Sequence, residues 1–239
     1  MSEDLTSYPE PQQYYRVNMT ALTWAEIYRA SGNPLSFILA LPFLGVIKLL
    51  NLTVATTVMP KEVTFRPLSQ ALAPGTARRL QAIVDGLESL GFQPFSTFEL
   101  PEMPYRAAIF ALVHESGTAY ADVTYLQARD LHYFEFVSRF PDGASLTTVN
   151  RRDGVAIETP PGKVHQYVGT QDARVLWEQH QAKVQEMAAL HGPPLSNLSA
   201  DSFFGHFRQA LREMALFQAQ RGVFQPTPPP ISAPGSWQK

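Results

Sequence analysis

The sequence predicts an α+β fold: an antiparallel meander of four to five strands, a packed helix before it, two helices after it, and an apolar helical segment near the N-terminus. Three observations carry this expectation. Leu80, Ile83, Val84, Leu87 and Leu90 recur at intervals of three and four, the stripe of a helix buried along one side. Between residues 92 and 150, β-rich runs are separated by short turn sequences, and short links between consecutive strands make neighbours antiparallel. Residues 35–59 are almost wholly apolar, with Lys48 as their one charge.

Taken in order, the chain divides into an extension (1–34), the apolar segment (35–59), an α+β domain (60–222) and a proline-rich tail (223–239). In the extension, Leu22, Trp24, Ile27 and Tyr28 fall near helical spacing and predict a short amphipathic helix. The apolar segment is a membrane-anchor candidate. Its first residues are Leu35, Phe37, Ile38, Leu39, Leu41 and Phe43. Leu44, Val46, Ile47, Leu49 and Leu50 continue it. The run matches the ~20 residues a helix needs to span a bilayer. Lys48 opposes insertion by about +2.5 to +3.5 kcal/mol at the bilayer centre, and Pro42 would kink the helix. The leading expectation is a single span. The alternatives are a kinked segment lying in one leaflet, or a buried helix to Leu50 followed by a core strand over 52–59. If the segment spans, the basic residues Lys61, Arg66, Arg78 and Arg79 after it place the C-terminal domain in the cytoplasm.

Residues 61–67 alternate as a strand does. The helix over 76–90 takes Thr76 as its N-cap and Gly91 as its left-handed stop. Five strands follow at 92–100, 105–115, 118–127, 132–140 and 144–150, with turns at Ser116-Gly117 and Pro141-Asp142-Gly143. In the fourth strand His132, Phe134, Phe136 and Phe140 share one face, which should meet the core under the preceding helix. A short strand is read at 164–168 and a helix over 172–190. A last helix runs to Gln220, capped by Ser199, with Phe203, Phe207, Leu211 and Met214 along one stripe.

Composition narrows the chemistry. The 19 Lys and Arg against 21 Asp and Glu give a net charge of −2, so no basic field draws in nucleic acid. With no cysteine, thiol nucleophiles, Cys-ligated zinc and iron–sulfur clusters are excluded. No phosphate loop, HExxH, GxSxG or dinucleotide fingerprint is present, and no cofactor or metal is expected. One candidate cluster remains: His114, Asp122 and His132, on adjacent predicted strands, could converge as an acid/base site of a hydrolase-like enzyme. Glu135 and Arg139 share the other face of the fourth strand, where an ion pair is the simpler expectation. Thr147, Thr148, Asn150, Arg151 and Arg152 could hold an anion or form a polar hairpin end. A protein partner could meet the last helix at Phe203 and Phe207, or the proline-rich tail.

The function expected is a membrane-associated, non-enzymatic binding or accessory domain that contacts a protein or an apolar ligand. The alternatives are the enzyme just described, or a soluble subunit whose apolar segment is buried in its own core or in a partner.

Overall fold

The computed structural model describes residues 14–31, 34–49, 55–103, 107–151 and 157–227. The chain is α+β, as its patterning predicts, and its main sheet has seven strands. Five of them form the meander: β4 (Phe92–Leu100), β5 (Ala107–His114), β6 (Tyr120–Leu126), β7 (Leu131–Arg139) and β8 (Ser145–Val149). Each pairs antiparallel with the next. The alternating segment at 61–67 contributes only the two-residue edge strand β3 (Arg66–Pro67), beside β4. The short strand read at 164–168 is β9 (Lys163–Tyr167), and it pairs in parallel with β8.

Two helices cover one face of this sheet. α3 (Pro74–Glu88) sends Leu80, Val84 and Leu87 onto Phe92, Leu112, Phe134 and Phe136. The phenylalanine face of β7 therefore meets the core where the alternation places it. α3 starts two residues earlier than the sequence suggests: Pro74 opens it, and Thr76 lies buried in the first turn instead of capping it. Proline suits that position because its φ is already helical and the N–H it lacks would be orphaned there. α4 (Ala173–His191), capped by Asp172, adds Leu176 and Trp177 to the same core and packs Met187 on Phe140 and Leu146. Full burial of each such side chain contributes about 1.5–3 kcal/mol.

The opposite face is covered by α5 (Ala200–Gln220), whose N-cap Ser199 forms a reciprocal capping box with Ser202. Here Phe203 meets Phe98, Leu100, Ile109 and Tyr120. The turn after β5 is held by the segment leading into α5, since Leu198 N–H donates to Gly117 O at 2.9 Å.

A second, three-stranded sheet stands apart in sequence. β1 (Tyr14–Asn18) lies between β2 (Ala55–Pro60) and β10 (Phe224–Thr227), antiparallel to both. Two helices, α1 (Trp24–Ala30) and α2 (Pro34–Leu49), fill the excursion between β1 and β2. A buried ion pair ties this unit to the end of α5. Arg221 donates from Nη1 and Nη2 to Glu26 Oε1 and Oε2 at 2.8 and 2.9 Å. Glu26 also accepts from Thr23 N and Oγ1 and from Glu158 N. Burial alone would raise the Glu26 pKa, but Arg221 and these donors pull it down to about 2.

The predicted anchor needs correction. The run over 35–59 does not form one long helix: α2 is 16 residues, about 24 Å at 1.5 Å per residue, and β2 follows it. Among the described residues no helix is long and apolar enough to cross a membrane. A bilayer core is ~30 Å thick, so a helix of this length falls short. Lys48 is engaged by the protein: its Nζ donates to Thr20 O at 2.9 Å and to Leu22 O, and it lies 5.3 Å from the Trp24 ring centroid. Helix followed by strand is the pattern of the buried-core alternative, yet α2 is not buried. Phe37 and Leu44 pack inward, while Leu35, Ile38, Leu39, Leu41 and Val46 are exposed. Leu50 lies outside the described residues, as do Arg152 and the tail from residue 228.

A cavity with a carboxyl pair: the candidate functional site

Alternation along β5 to β8 gives the two sheet faces different chemistry. The α3/α4 face is largely aliphatic and aromatic, with Ser138 and Thr148 meeting His180 of α4. The α5 face carries Tyr120, Asp122 and Thr124 on β6, with Tyr133, Glu135, Val137 and Arg139 on β7. α5 touches this face at its N-terminal end and leaves a cavity of about 460 Å³ beneath the rest. That volume is within the range of small-molecule sites. The α5 wall is Phe203, His206, Phe207, Ala210, Leu211 and Met214. The predicted stripe of the last helix thus faces the sheet and the cavity, and Phe203 is 3% exposed.

Asp122 and Glu135 are direct cross-strand partners, which sets their Cβ atoms ~5 Å apart on the same face. The carboxyls are hydrogen-bonded to each other, and Asp122 Oδ1 also accepts from Thr124 Oγ1 at 3.1 Å. Their flanking neighbours in the same cross-strand row are Ala111 on β5 and Val149 on β8, so no cation stands beside them in the sheet. Burial raises the pKa of both, and for Glu135 the neighbouring Asp122 charge raises it further, well above the usual carboxylate range. Two carboxyls in such contact cannot both ionise cheaply, so each favours the proton-sharing state of the pair. Asp122 is buried, whereas Glu135 keeps partial exposure on the wall of the cavity it lines.

The nearest sheet cations lie further along. Arg139 is four residues beyond Glu135, about 13 Å along β7, and its Nη2 donates to Gln209 Oε1 at 3.3 Å. Lys163 pairs with Glu213 at 2.9 Å and donates to Gly143 O at 2.7 Å. Between these residues and the carboxyl pair, Tyr120 OH meets Ser202 Oγ at 2.7 Å and His206 Nδ1 at 3.1 Å. Burial and the Arg139 charge hold the His206 pKa below its ordinary value.

The predicted cluster His114, Asp122 and His132 is not brought together. Asp122 faces α5, while both histidines lie on the α3/α4 face. They also sit at opposite ends of the sheet, about 20 Å apart along the strands. His114 has local partners, Ser116 Oγ at 2.7 Å and Leu90 O at 3.1 Å, with its ring against Phe92 and Trp177. His132 sits across from Tyr125, with its pKa lowered by burial and by Arg79. The reason is parity: residues 114 and 132 have the strand phase of the core phenylalanines, and 122 has the other. The expected Glu135–Arg139 pair is also replaced, since each residue turns to a different partner. The polar cluster after β8 splits likewise: Thr147 lines the cavity, Thr148 faces α4, and Asn150 caps Phe134 N at 3.0 Å. Among the described residues no group of His, Asp or Glu has the arrangement of a metal site.

The polar group that sequence reasoning missed is His180, fully buried on α4. Its Nδ1 is 2.8 Å from Thr148 Oγ1 and its Nε2 3.0 Å from Ser138 Oγ. Ser138 donates its own proton to Thr118 O at 2.9 Å and so accepts from Nε2–H, while the bare Nδ1 and Gln166 Oε1, at 2.8 and 3.2 Å, compete for the one proton of Thr148 Oγ1. Burial pushes the His180 pKa down to about 3, so the ring is neutral and structural.

No family model, curated protein or solved structure matches this chain.

Proposed function

We propose that this chain is a non-enzymatic binding domain that takes an apolar ligand into the cavity between the main sheet and α5. The observation that carries the reading is the cavity itself: a space of about 460 Å³ walled mostly by aliphatic and aromatic side chains, with the Asp122–Glu135 pair on the sheet side and Arg139, Lys163, His165, His206 and Glu213 also in its lining. Sites for small ligands have this composition, with few polar groups placed to orient the occupant. The test is titration with the neutral dye Nile red. Saturable one-to-one binding is expected in the wild type. It should be lost in Ala210→Trp, because Ala210 lines the cavity and remains exposed at its mouth. No binding by the wild type, or equal binding by the variant, would refute the reading.

A specific observation favours a second element, association with a membrane surface. Leu35 and Leu39 are 66% and 72% exposed, Ile38 and Val46 more than half or half exposed, and Trp24 on α1 adds 44%. Residues 35, 38, 39, 42 and 46 form one helix face, and a patch of this kind marks a contact surface. A helix lying in the interface plane needs no spanning length. The full chain should sediment with phosphatidylcholine vesicles, and Ile38→Glu/Leu39→Glu should stay in the supernatant. A wild type that stays in the supernatant removes the membrane element and leaves the cavity reading intact.

A further inference from the structure

We propose that the occupant of the sheet–α5 cavity is an aliphatic amine, its protonated nitrogen held by Asp122 and Glu135 and its hydrocarbon chain laid along Phe203, Phe207 and Leu211. This inference rests on the cavity-binding reading and names its ligand class.

Charge complementarity carries it. The two carboxyls face each other across β6 and β7 on the cavity side of the sheet, and ionisation of either one places negative charge there. The pair's sheet neighbours in the same row are Ala111 and Val149, which supply nothing to balance that charge. Of the basic side chains in the cavity lining, Arg139 donates to Gln209, Lys163 pairs with Glu213 and donates to Gly143 O, His206 meets Tyr120 OH, and His165 lies on β9 across from Thr147. A buried charge without a partner is costly, and a bound ammonium removes that cost by making the site neutral. The geometry allows the contact, because Glu135 keeps part of its surface open to the cavity while Asp122 is anchored by Thr124. An ammonium group brings three N–H donors and no acceptor, which suits a surface made of carboxyl oxygens. A carboxylate head would set a second negative charge against the pair. An alcohol head would leave the pair's charge uncompensated.

The experiment is displacement of Nile red from the full chain at neutral pH by dodecylamine, dodecanol and dodecanoate. Dodecylamine should displace the dye at a concentration about ten-fold or more below dodecanol, with dodecanoate weakest. In Asp122→Asn/Glu135→Gln the dye should still bind and the advantage of the amine should vanish. Glu135→Gln alone should reduce it, should the double variant fold poorly. Equal displacement by the three compounds, a preference for dodecanoate, or an amine advantage that survives the substitutions would each overturn the proposal while leaving the cavity reading standing. Failure of Nile red to bind the wild type would overturn both.

Discussion

Replacing His180 by alanine should destabilise the fold by roughly 3–5 kcal/mol, the sum of a large-to-small cavity and the two buried hydrogen bonds lost from Ser138 and Thr148. The ring fills space between Trp177 and Phe136, with centroids at 5.4 and 5.8 Å, and joins Ser138 on β7 to Thr148 on β8. Chemical denaturation read by tryptophan fluorescence measures the loss. The pH dependence separates this role from simple packing. His180 titrates near 3 when folded and near the ordinary 6.5 when unfolded, so the folded state disfavours its protonation. The stability it supplies is present above 6.5 and falls as the pH drops toward 3, by about 1.4 kcal/mol per pH unit. The margin of wild type over His180→Leu should therefore shrink by about 2–3 kcal/mol between neutral pH and about pH 4.5. A margin that does not change with pH would mean that the ring is not held neutral. The comparison must be between variants, because the Asp122–Glu135 pair acts with the opposite sign. Its raised pKa values give stability that is present at low pH and lost as the pH rises.

The second large effect belongs to Arg221. Arg221→Met should cost roughly 3–5 kcal/mol, because it strands the Glu26 carboxylate in a buried position. Glu26 is 1% exposed, and its remaining donors, Thr23 and Glu158, do not supply a positive charge. The double variant Glu26→Gln/Arg221→Met should recover a large part of the loss, and the double-mutant cycle from thermal denaturation measures the coupling. Since Glu26 is held at about 2, the contribution of the pair is complete above the ordinary carboxylate value and is lost as the pH falls toward 2. A recovery of nothing in the double variant would mean that the side chains act by shape alone.

Much of the main domain is legible in the sequence. The period of α3, the Ser199 cap, and the turn glycines Gly117 and Gly143 are local signals, and they produce the elements they predict. What local signals cannot state is which segments pair at a distance. Nothing in Lys163–Tyr167 says that it joins β8 in parallel, and nothing in Tyr14–Asn18 says that it meets Phe224–Thr227. The apolar run misleads for a related reason. Its composition reads as lipid-soluble, but the β-branched Thr56, Thr57 and Val58 lie in β2, and Lys48 is satisfied by the backbone carbonyls of Thr20 and Leu22.

At the site, Asp122 and Glu135 are both conspicuous in the sequence, but each with another partner in view. A signal for the true pairing exists. The two residues are equidistant from the four-residue turn between Leu126 and Leu131, so a regular hairpin sets them face to face. Strand parity, applied to the same hairpin, removes His132 from that face. His180 gives no such signal, since a histidine among Leu176 and Trp177 on a helix could equally lie at its edge.

The small sheet has a consequence for the order of assembly. Its central strand, β1, is among the first described parts of the chain, and one of its two neighbours, β10, is the last. That ladder closes a loop containing the whole main domain, and the entropy of such a closure falls only once the intervening residues have condensed. During synthesis β1, α1 and α2 emerge early but stay without Phe224–Thr227, and Glu26 without Arg221, until the rest has been made. The apolar helix most in need of cover thus belongs to the part that completes last, which makes the interval before completion the chain's most aggregation-exposed stage.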